Sequence, residues 1–195
     1  MFWWLYEIFS SARFLTISGD NGFWKSKRVY EFVLPFLLTC AVFSAYLYCR
    51  GAFVPNFLDT ITKNTFDFMV FVVPFHLAAL GAFATFDRPI LDQHLKGTKA
   101  EIRVWSNEDQ KYFYKTLTLR QYVSLLFGYL CTLGIVFITA YIFASTVNVP
   151  VVLGEHAATL NDVFVFLVVF FVAHYSFLSI YSITFLFDKV NEIGA

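Results

Sequence analysis

Charge is scarce in this chain. Asp, Glu, Lys and Arg make up 14% of its 195 residues, against about 25% in an ordinary soluble domain, and so uncharged a surface would be hard to keep in water. The 14 basic and 14 acidic residues cancel, which removes both the basic excess of a nucleic-acid binder and the acidic excess of a disordered tail. Cysteine is limited to Cys40, Cys49 and Cys131. Their spacing offers neither a disulfide framework nor a zinc knuckle, and they read as small apolar side chains. Catalytic signatures are missing as well. There is no glycine-rich phosphate loop, no nucleophile elbow, no pair of metal histidines at helical spacing and no thiol redox pair. The expectation is a protein that is not an enzyme and carries no metal or cofactor. Glu155-His156 is too isolated to be more than a solvated pair.

What the chain has instead is apolar side chains: 58% of residues are hydrophobic, and 26 are Phe. Charge is wholly absent from Phe32 to Cys49, Phe68 to Phe86, Gln121 to Gly154 and Val163 to Phe187, runs of 18, 19, 34 and 25 residues. A hydrocarbon core of about 30 Å takes roughly 20 helical residues at about 1.5 Å each, so every run can cross it, the first two with flanking residues. The predicted fold is an all-α membrane protein with four transmembrane helices, at about 29–49, 66–86, 120–147 and 163–187. Asn148 and Pro150 provide the exit from the third. Residues 29–195 then form one four-helix domain, with no internal repeat.

Of the Lys and Arg residues, twelve fall before the first span, between the second and third, or after the fourth; two fall in the other loops. The positive-inside rule puts both termini and the loop 87–118 in the cytoplasm. Residues 1–28 are expected to form an interfacial segment. On a helix Glu7, Ser10 and Ser11 share a narrow polar face, and Trp3, Trp4 and Trp24 suit the headgroup layer. The segment lacks the basic start and small-residue cleavage site of a signal peptide.

The loop 87–118 is too small for its own core. Ile102 and Val104 alternate with Glu101 and Arg103, residues Asn107 to Gln110 suit a turn, and Tyr112 to Leu117 could pair back as a second strand. The competing pattern starts a helix at Ser106 and Asp109. Arg88, Lys96, Lys99, Arg103, Lys111 and Lys115 make this loop the candidate contact for a soluble partner or for anionic headgroups.

Two histidines fall inside spans, His76 in the second and His174 in the fourth. A polar group at that depth must face protein or a water-filled cavity. Three readings stay open: interhelical hydrogen bonding, a gating or proton-linked role, and metal binding with Cys40. Pro74, two residues before His76, frees the carbonyl of Val70 and could hinge the helix. Small residues four apart, Ala41 with Ala45 and Ala78 with Ala82, are candidate packing faces within one chain or in a homo-oligomer.

The first expectation for function is an oligomeric sensor or anchor in the lipid bilayer that presents its basic loop to a soluble cytoplasmic protein, without direct nucleic-acid contact. The alternative is a channel or pore-forming effector opened through the second and fourth helices. A transporter is the weaker third, because nothing is duplicated. The layout, together with Leu119-Arg120-Gln121-Tyr122 and Phe127-Gly128-Tyr129-Leu130 at the start of the third helix, resembles the small four-span membrane subunit of bacterial phage-defence pairs such as Kiwa. That resemblance implies a homo-oligomer in the bacterial inner membrane that senses phage-caused membrane perturbation beside a soluble partner. It implies no role for any single residue.

Overall fold

A computed structural model of the chain describes residues 10–17, 26–95, 100–106, 108–147 and 157–190. Trp3, Trp4, Trp24, Lys96, Lys99, Glu155 and His156 lie outside them. Four long helices dominate: α1 (Val29–Tyr48), α2 (Phe57–Thr85), α3 (Leu119–Ala144) and α4 (Ala157–Val190). All four are long and apolar enough to cross a membrane. Helix α2 begins nine residues before the span expected at 66, and α4 extends past its uncharged run at both ends. Helical hydrogen bonding does not need an apolar surface, so the charge-free runs do not mark the helix ends.

Between α2 and α3 stands an antiparallel hairpin of β1 (Glu101–Ser106) and β2 (Lys111–Thr116), with Arg103 opposite Tyr114 and Trp105 opposite Tyr112. The helix reading for Ser106 and Asp109 does not hold. Ser106 Oγ accepts the Asp109 amide at 3.2 Å inside the turn, and Gln110 closes that turn with φ of 48°.

The chain divides into two compact units. The first comprises residues 1–26, 74–132 and 181–195. Its core gathers Leu91, Leu119, Val123 and Phe127, with Leu80, Phe83 and Phe185 packed around them. The described part of the N-terminal segment packs on α3. Ser10–Thr16 is a short 3-10 helix whose Phe14 is wholly buried, stacked on Tyr129 at 5.6 Å and edge-on to Tyr122. Ser11 Oγ reaches Thr132 Oγ1 at 2.8 Å. Thr132 donates to the Gly128 carbonyl, so the Ser11 hydroxyl donates to Thr132. That contact lies thirteen residues into α3, about 20 Å along its axis. The contact sequesters three aromatic rings and pairs two hydroxyls.

The second unit comprises residues 27–73 and 133–180. Tyr46, Val165 and Val169 are its buried centre, with Phe43, Phe53 and Phe57 against them. Arg50 bonds Asp162 at 2.7 Å and lies over the Tyr46 ring. Helix α2 approaches α3 closely at Gly134, where an added Cβ would collide with Val73 Cγ2.

Candidate functional site

In the second unit the polar chemistry concentrates at the start of α1. The helix opens with a π turn, Val29–Val33, and Leu34 donates to the Val29 carbonyl. Pro35 has no N–H to give the Glu31 carbonyl four residues earlier. His174 supplies one: its Nδ1 lies 2.6 Å from Glu31 O. A carbonyl only accepts, so Nδ1 carries the hydrogen. Phe32 stacks against the imidazole at 5.4 Å and Phe170 at 6.0 Å.

The Glu31 side chain is entirely buried. Lys27 Nζ is 2.9 Å from Glu31 Oε1, one helical turn away, and Glu31 Oε2 has no hydrogen-bond partner among the described residues. Burial pushes the Lys27 ammonium below the usual lysine range, against the opposing pull of Glu31. In the sequence Lys27 is one of the cations ahead of the first span and Glu31 borders its uncharged run, so the pair is not evident from charge counting. The available signal was the spacing of Lys27 and Glu31, four residues apart, just before a 18-residue uncharged run.

His76 falls in the first unit. It is buried, with its ring tilted against Phe127 at 5.6 Å. Pro74 lies within α2, which stays helical through it. Cys40 is half-buried. No group of three His, Cys, Asp or Glu side chains is placed to hold a metal among the described residues. Ala41, Ala45 and Ala78 are exposed in the single chain, and Ala82 is half-buried. An apolar cavity of about 390 Å³ in the second unit is walled by Leu38, Val42, Ile61, Val169 and Phe177, among others, with the Ser176 side chain as its polar member.

In the first unit the loop residues separate into a clamp and a display. Arg120 binds Asp92 through Nε at 2.8 Å and Nη2 at 3.1 Å, and its Nη1 donates to the Phe83 carbonyl at 2.8 Å. The guanidinium holds the exposed Asp92 carboxyl below its ordinary range. Leu119 N–H bonds Gln93 O, and Leu117 N–H bonds Ala100 O, which ties the hairpin base to the start of α3.

Past that base, Arg103, Lys111 and Lys115 are exposed, as is Arg88 before it. So are Trp105, Tyr112, Phe113 and Tyr114, with Tyr114 at 64%. The Arg103 guanidinium stands 4.0 Å over the Tyr112 ring, and Trp105 meets the same ring edge-on at 4.8 Å. Comparison of the chain with protein-family models, with curated proteins and with solved structures gives no match.

Proposed function

We propose that this chain is a membrane-anchored subunit that holds its hairpin out to a soluble cytoplasmic partner. The observation that carries this reading is the contrast within the loop. Its base is locked to the ends of α2 and α3 through Arg120, while β2 is exposed along nearly its whole length and carries three aromatic rings and two lysines. A free loop that served only to join two helices would not need such a base. The bilayer setting rests on the four apolar helices and on their outward side chains, such as Phe36, Phe71 and Phe75, which are apolar where a soluble protein would be polar.

The charge asymmetry supports a cytoplasmic side for both termini and the hairpin. Self-association would cover the exposed Ala41, Ala45 and Ala78 faces. The layout shared with the membrane subunit of phage-defence pairs suggests the bacterial inner membrane, and a trigger in membrane perturbation. The channel reading draws no support from the cavity in the second unit, which is walled almost wholly by carbon.

The orientation is tested with Asp109→Cys in a background lacking the three native thiols. A membrane-impermeant thiol reagent should label position 109 in inverted vesicles and not in intact cells; labelling in intact cells would reject the proposal.

A further inference from the structure

The hairpin is an unfinished sheet. Two strands of six residues are at best marginally stable alone in water, and here the two are buried unequally. β1 lies against the short helix Ser10–Thr16 and buries Ile102. β2 has Lys111 to Lys115 all exposed.

The register fixes which backbone groups face outward. Leu117 and Ala100 are the next pair beyond Glu101 and Thr116, and the Leu117 amide bonds the Ala100 carbonyl at 2.9 Å. Bonded pairs alternate with unbonded ones in an antiparallel ladder. The Lys115, Phe113 and Lys111 pairs are therefore bonded inward. Tyr112, Tyr114 and Thr116 direct their N–H and C=O groups away from β1, along an edge that no other strand pairs among the described residues.

The side chains of that edge also divide by face, since they alternate along a strand. Lys111, Phe113 and Lys115 stand on one face. Tyr112 and Tyr114 stand on the other, with Trp105 and Arg103 opposite them.

We propose that this outer edge of β2 receives an extended strand of the soluble partner whose residues alternate acidic and apolar, the acidic ones beside Lys111 and Lys115 and the apolar ones beside Tyr112 and Tyr114. The inference rests on the partner-presenting reading above and names the surface and the chemistry it recognises. A strand laid on the edge completes the backbone bonding and meets both faces at once. A flat anionic bilayer meets only one face. A second copy of this chain pairing through β2 brings lysine rows together on one face, and like charges side by side on a sheet are unfavourable.

The test uses the full chain in nanodiscs of zwitterionic lipid, with a synthetic peptide alternating Glu and Val as the probe and hydrogen exchange as the readout. The expected result is slower exchange of the Tyr112, Tyr114 and Thr116 amides. Binding should fall at least tenfold when Lys replaces Glu in the peptide, and likewise in Lys111→Glu/Lys115→Glu. Tyr114→Pro removes an outward amide without touching a ladder bond, and it should abolish binding. If that variant loses the hairpin, a peptide N-methylated on the amides that face β2 gives the same reading on the unaltered chain.

The proposal is overturned if exchange is unchanged by the acidic peptide, or if the Lys peptide binds equally well. It also fails if the same amides are protected by phosphatidylglycerol vesicles or by raising the protein concentration, without peptide. If the peptide fails while hairpin charge reversal still strips a soluble protein from the native complex, the partner-presenting reading stands and only the strand-docking inference falls.

Discussion

His174 gives the Glu31 carbonyl the hydrogen bond that Pro35 withholds: its Nδ1 sits 2.6 Å from that oxygen, 143 residues away in sequence. The pairing gives one of the two histidines in the long apolar helices a definite structural duty. It predicts that His174→Phe, which keeps a flat ring between Phe32 and Phe170, costs about 1–2 kcal/mol of stability. Pro35→Ala restores a backbone N–H four residues after Glu31. In the double variant the loss should therefore be smaller than the sum of the two single losses, and strictly additive losses in denaturant titrations would contradict the pairing.

The ion pair beside it behaves differently. Removing one member of a buried pair strands the other, so Glu31→Gln should cost about 3 kcal/mol. Lys27→Met with Glu31→Gln removes both charges and should recover most of that. Lys27 already titrates below the usual lysine range because of its burial, and losing Glu31 removes the one influence that raises it. Comparing the single and double variants by unfolding in the same detergent checks the prediction; a double variant no more stable than the single one contradicts it.

Asp92 supplies a pH dependence with a definite sign. The Arg120 hydrogen bonds hold its carboxyl below the ordinary value near about 4. Its contribution to stability is therefore complete above that ordinary value and is lost as pH falls through the lowered one. Wild type should melt above Asp92→Asn at pH 6, with the gap closing toward pH 3. Arg120→Lys keeps the charge but loses the two-pronged contact and the reach to Phe83 O, and should show a smaller gap. A gap independent of pH would contradict this assignment.

Two glycines separate packing from helix propensity. Alanine favours a helix over glycine by about 1 kcal/mol. At Gly81 nothing lies within 4 Å of an added Cβ, so Gly81→Ala should stabilise. At Gly134 the added carbon meets Val73, overpacking costs about 1–3 kcal/mol, and Gly134→Ala should destabilise. Thermal unfolding of the two variants decides the matter, and the same sign for both would count against the close approach.

The sequence makes some of this architecture legible and hides the rest, for physical reasons. Bilayer thickness imposes a length on uncharged runs, so four long helices can be read directly, and Ile102 and Val104 against Glu101 and Arg103 reveal the hairpin through the two-residue period of a strand. The role of Arg120 is not readable, because its partners Asp92 and Phe83 O come together only when the chain turns back between α2 and α3. Glu31 is hidden for a related reason. A charge at the edge of an apolar run looks solvated until the fold covers it, and only the tertiary structure places His174 over the gap at Pro35. The N-terminal segment is amphipathic either way, and pattern alone does not say whether its apolar face meets lipid or, as at Phe14, the side of another helix.

The central claim is that the hairpin holds a soluble partner at the membrane. Native mass spectrometry of the complex, extracted gently from its host membrane, tests it most directly when wild type is compared with Arg103→Glu/Lys111→Glu/Lys115→Glu. The account predicts a soluble protein bound to the wild-type chain and missing from the variant, with the melting temperature of the membrane subunit unchanged. A complex that contains this chain alone, or a soluble protein retained in full by the variant, would contradict it.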